Sequence, residues 1–133
     1  MSGPTRLESA MLLPSVPAWF EIPSTNFERA VRFYEDVLEA RLVRDEMGPT
    51  TLGVFPHQKP APTGAVVEGP GLVPSDTGTV VYLSLDDIRP AIARVGTAGG
   101  KVVLPLTALP QGMGVFAQIQ DTEGNRVGLF SSR

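Results

Sequence analysis

From Ala18 to Leu38 the chain reads AWFEIPSTNFERAVRFYEDVL, and the spacing of its apolar positions changes part-way along. In WFEI the side chains alternate, so a strand puts Trp19 and Glu21 on one face and Phe20 and Ile22 on the other. Phe27, Ala30, Val31, Tyr34, Val37 and Leu38 then recur at helical spacing, with Glu28, Arg29, Arg32, Glu35 and Asp36 on the opposite side. This predicts an amphipathic helix with one buried stripe. Thr25 and Glu28 fit a capping box, and Asn26 is the alternative N-cap. ARLVRDE, TTLGVFP and TGAVVEG follow as three short strands separated by Pro and Gly signals.

The same order returns in the second half. TVVYLSL is strand-like, Asp87 caps a helix carrying Ile88, Ala91, Ile92, Val95 and Ala98, and Gly99 and Gly100 stop it. KVVLPLT, GVFAQIQD and NRVGLFS complete the series. A constant offset of 61 places Trp19 on Val80, Asn26 on Asp87, Phe27 on Ile88, Ala30 on Ala91 and Tyr34 on Val95. A gapless match through strand, cap and helix stripe indicates an internal repeat, in which each unit is too small to bury its own sheet and helix well. The expected organisation is a loose N-terminal lead over 1–16 and a single domain over 17–132. That domain comprises module one (17–68), a linker (69–78) and module two (79–132).

Composition narrows the possible partners. The 133 residues suit one domain. A net charge of −3 lacks the basic excess that nucleic acid or an anionic membrane surface demands, so a neutral or cationic small molecule is the expected partner. With no cysteine, disulfides and thiolate chemistry drop out, and His57 is the single imidazole, in the Pro-rich loop FPHQKPAP. MSGPTRLESAMLLPSV has no basic start and its apolar run is broken by Pro14, which makes it a poor secretory signal and points to a cytoplasmic protein.

FERAVRFYEDVL, GTVVYLSLDDI, AGGKVVLP and DTEGNRVGLF, in this duplicated order, resemble the vicinal oxygen chelate superfamily of glyoxalase I, bleomycin-resistance proteins and extradiol dioxygenases. The resemblance spans roughly 17–132 and implies an α+β fold of two tandem βαβββ modules whose sheets curve into a cup. It also implies a homodimer. In the superfamily's metal enzymes each module gives one ligand from its first strand and one from its last. Those positions fall here on Trp19, Val80, Glu68 and Gly128. Only Glu68 retains a ligand-type side chain, since Trp offers an N–H donor and Val and Gly offer nothing that coordinates. No metal or other cofactor is therefore expected, and a divalent ion is the alternative.

If the superfamily's ligand position faces the cup, so do Trp19 and Glu21, with Val80, Tyr82 and Ser84 from module two and Arg126 and Phe130 around Gly128. Together with Glu68 these form the expected ligand site. Trp19 is either a plug filling the space of the missing metal or a stacking surface for a planar ligand. Glu21 and Glu68 are the candidate catalytic bases, and an ion pair between Glu68 and Arg126 is the structural alternative for the latter. The leading expectation is a binding protein for an aromatic or cationic small molecule. Behind it stand a metal-dependent lyase, isomerase or dioxygenase, a metal-free enzyme using Glu21 or Glu68, and a module with a filled cup. AGG and DTEGN read as turns rather than phosphate cradles, and no serine or histidine is set for a nucleophilic triad.

Overall fold

The structure, a computed structural model, describes Leu13 and residues 16–133. The expected lead over 1–16 lies outside the described residues except at Leu13 and Val16. Module one supplies β1 (Trp19–Pro23), α1 (Phe27–Leu38), β2 (Val43–Met47), β3 (Thr50–Val54) and β4 (Thr63–Glu68). Module two supplies β5 (Tyr82–Ser84), α2 (Ile88–Val95), β6 (Lys101–Ala108), β7 (Val115–Gln120) and β8 (Arg126–Ser131), with a short 3-10 turn at Pro110–Gly112. Each module folds into a four-stranded sheet of the same order, β1-β4-β3-β2 and β5-β8-β7-β6. The first strand of each runs parallel to the last, and the remaining pairs are antiparallel. This is the α+β, duplicated architecture that the repeat requires.

Asn26 begins α1, because its side chain accepts from the Arg29 N–H at 3.1 Å, and Asp87 does the same for Arg89 at 3.1 Å in α2. The capping-box alternative through Thr25 is not the one formed. α1 ends at Glu39, whose backbone turns left-handed at φ 51°. Past α2, Gly99 adopts φ 105°, a conformation open to glycine at little cost, and the Gly100 N–H closes on Val95 O.

The helix stripes and the inward positions of both sheets merge into one core. Val31, Val37, Val66, Ile88, Val95, Ile119 and Leu129 have essentially no exposure there. Burying each such side chain contributes about 1.5–3 kcal/mol. Phe20, Val81 and Leu85 pack against the same core, so alternation along β1 and β5 is as the sequence pattern demands. The faces away from the helices differ. On module one, Leu52, Ala65 and Val67 form a small buried cluster with Leu72 of the connecting segment packed on it. On module two, Tyr82 stays 43% exposed and Phe116 and Phe130 are half-buried, leaving an aromatic surface open.

The connection between β7 and β8 ties the modules together. Glu123 accepts hydrogen bonds from the Thr25 and Asn26 N–H groups at 3.0 and 2.9 Å, and from Arg29 Nε at 2.8 Å. Thus a carboxylate of module two closes the helix N-terminus of module one, where unpaired N–H groups favour an anion. Burial alone would raise the Glu123 pKa. The hydrogen bonds from Arg29, Asn26, Thr25 and Thr122 outweigh burial and hold it down to about 2. Beneath it, buried Asp121 accepts from the Tyr34 hydroxyl at 2.6 Å and from Asn125 Nδ2 at 3.0 Å. Burial, and then the Asp121 charge, push the Tyr34 phenol well above its ordinary range.

Candidate ligand site

Tyr82 is the centre of the site. It lies beside Gly128 in the parallel β5/β8 pair, and Gly128 is in turn registered with Gln118 on β7. A Cβ built on Gly128 would overlap the Tyr82 ring carbons. Glycine therefore lets the phenol lie across β8, and the hydroxyl reaches Gln118 Nε2 at 2.6 Å. Arg126 Nη1 donates to Gln118 Oε1 at 3.0 Å, and Phe116 meets the Tyr82 ring in a tilted edge contact at 6.0 Å.

Tyr82 borders three adjoining hollows. Trp19 and Val80, the two first-strand positions related by the offset of 61, meet with it in a cleft of about 670 Å³ that Phe20 and Thr63 also line. Ser84 joins it in a second of about 330 Å³, together with Phe55 and Leu38. Phe130, Phe116 and Leu109 join it in a third of about 260 Å³. Trp19 is 41% exposed and its Nε1 donates to Glu21 at 3.2 Å, so the indole does not fill the cleft as a buried plug would.

Glu21 and Arg126 flank these hollows, Arg126 bonded to Gln118, and Glu68 lies elsewhere. Glu21 and Arg126 line a small separate hollow of about 160 Å³ against the connecting segment, with Val73 and Ser75. Glu68 is a correction. It follows Val67 by one position, and Val67 points to the open face with Ala65, so Glu68 points to the helix face. There its Oε1 accepts from the Phe27 N–H at 2.8 Å. The expected pairing of Glu68 with Arg126 is not formed, and Glu68 does not share a face with Glu21.

The strand registers explain the misplacement. Glu21 pairs with Ala65 and Tyr82 with Gly128, so Gly128 corresponds to Ala65. Glu68 then corresponds to Ser131, whose Oγ takes the Ile88 N–H at 3.3 Å just as Glu68 takes that of Phe27. Assigning Glu68 and Gly128 as equivalent positions had mixed two registers. Both true equivalents finish a last strand by satisfying the first N–H of the module's own helix.

Residues that the pattern did not single out are Gln118, Asp121 and Glu123, and it gave Tyr34 a place in the helix stripe without its partner. Gln118 had a signal, since it alternates with Ala117 and Ile119 and must lie on the open face with Gly128. The other three act across contacts 87 to 98 residues apart, for which spacing gives no indication.

The family model for the Glyoxalase/Bleomycin resistance protein/Dioxygenase superfamily matches residues 17–129. The chain belongs to this superfamily. A glyoxylase-like domain-containing protein of Didymella fabae is 28% identical over 120 residues, covering 86% of this chain and 92% of its own. Among solved structures, a mutant of Zea mays glyoxalase I superposes with TM-score 0.68 at 19% identity, covering 86% of this chain and 45% of that one. The chain thus spans about half of that enzyme. TnmS3, an antibiotic binding protein from Streptomyces sp. CB03234, superposes with TM-score 0.67 at 22% identity, covering 90% and 98%.

The superfamily includes metal enzymes, and the side chains at the expected ligand positions here do not fit a divalent ion. Trp19 presents a donor already committed to Glu21, Val80 cannot coordinate, Gly128 lies under the Tyr82 ring, and Glu68 faces the other way. Among the described residues no group of three or more His, Cys, Asp and Glu is gathered for a metal. His57 is exposed in its loop. None of the described helices is long and apolar enough to cross a membrane.

Proposed function

We propose that this superfamily member binds an aromatic small molecule against Trp19, Val80, Tyr82, Ser84 and Phe130 as a cytoplasmic homodimer, without a metal. The observation that carries the reading is the Tyr82 ring lying on Gly128, with Trp19 facing the same cleft. Two half-exposed aromatic rings offer flat apolar area at small entropic cost, which is what a planar ligand needs. The likeness of the fold to an antibiotic binding protein agrees with binding as the activity. Exposed Val43 and Met47 on the edge strand β2 give a second copy apolar side chains to cover.

Trp19 is the single tryptophan of the chain, so its emission reports on the cleft alone. Titration with 2-naphthamide in the presence of a chelator should change that emission saturably and raise the denaturation midpoint. Absence of both effects at millimolar ligand would reject the reading.

A further inference from the structure

The hydrogen bonds around Gln118 dictate which polar group the aromatic ligand must carry. Arg126 can only donate, so the Gln118 atom it meets at 3.0 Å is the amide oxygen. That fixes the amide orientation, and the nitrogen must then donate to the Tyr82 hydroxyl at 2.6 Å. Since Tyr82 accepts this bond, its own O–H proton is left to donate elsewhere. Arg126 keeps further N–H donors beyond the one given to Gln118. Among the described residues no carboxylate forms an ion pair with it within 4.0 Å. Glu21 borders the same small hollow as Arg126 without pairing with it, its carboxylate accepting from Trp19 Nε1 while keeping its charge. The open face of module two therefore presents a tyrosine O–H and a guanidinium in series, beside the rings of Phe116 and Phe130.

We infer that this face selects aromatic ligands bearing a carboxylate or an equivalent anionic acceptor, with Tyr82 and Arg126 as the specificity-determining donors and Gln118 as the residue that aims them. The inference rests on the aromatic-binding reading above and deepens it. A carboxylate gains charge-assisted hydrogen bonds from both Tyr82 and Arg126, whereas an ammonium meets the like charge of Arg126. It reverses the polarity expected from the acidic composition, because contact chemistry at the site outweighs a net charge of −3 that salt screens.

Calorimetric titration of the full chain with 2-naphthoate, 2-naphthamide and 2-naphthylmethylammonium at pH 7 tests it. The naphthoate should bind at least about tenfold more tightly than the ammonium. Gln118→Glu, nearly isosteric, accepts from both Tyr82 and Arg126 and should abolish that ratio. Arg126→Gln should lower the ratio, and Arg126→Lys should restore part of it. An ammonium that binds as tightly as the carboxylate, or a ratio that survives in Gln118→Glu, overturns the inference. Naphthamide binding without an anion preference leaves the aromatic site standing, and failure of all three ligands removes both.

Discussion

Tyr82 and Gly128 are one structural unit: the phenol lies on the backbone of β8 because the residue beneath it has no side chain. The unit occupies a last-strand position at which the resemblance implied a metal ligand. It converts that position into an aromatic platform whose hydroxyl is held by Gln118.

Gly128→Ala should displace the Tyr82 ring, break its bond to Gln118 and weaken aromatic ligands. Overpacking of this kind destabilises by about 1–3 kcal/mol. Combining it with Tyr82→Ala should remove most of that stability penalty, as a double-mutant cycle in urea would show. Additive penalties would mean that the ring is not what the new methyl meets.

Glu68→Ala should lower stability by about 0.5–2 kcal/mol through loss of the acceptor at the start of α1. Its affinity for naphthamide should remain that of the native protein. A selective loss of binding with unchanged denaturation would return Glu68 to the ligand site.

The clasp at Glu123 makes stability depend on pH. Its carboxyl is held down to about 2 from an ordinary 4.5. A depressed carboxylate stabilises the fold above the unfolded pKa and loses that stabilisation as pH falls through the folded one. The difference corresponds to on the order of 3 kcal/mol. Glu123→Gln should therefore cost stability at pH 7, and the gap to the native protein should close between about pH 4.5 and 2. A pH-independent gap would exclude the clasp as its cause.

Tyr34→Phe removes one of the hydrogen bonds to buried Asp121. The expected loss is about 1–3 kcal/mol in chemical denaturation, without change in ligand affinity. An equal stability for the two proteins would show that Asp121 does not depend on that hydroxyl.

Much of the fold was legible because its signals are local. Alternation in WFEI and YLSL assigned the faces of β1 and β5, and the offset of 61 placed Asn26 and Asp87 on equivalent caps. The last strands were harder, because the offset changes before them and a one-residue error in register turns a side chain to the other face. Glu68 was misplaced for that reason. The roles of Asp121 and Glu123 were missed, and with them the partner of Tyr34, because turn chemistry marks DTEGN as a turn and says nothing of the helix it clasps.

The most direct test of an aromatic site without metal is the indole N–H resonance of Trp19, unique in the chain, followed by NMR during addition of 2-naphthoate to chelator-treated protein. A saturable shift in the presence of chelator is expected, and Tyr82→Ala should weaken it. A resonance that moves only after a divalent ion is restored would contradict it.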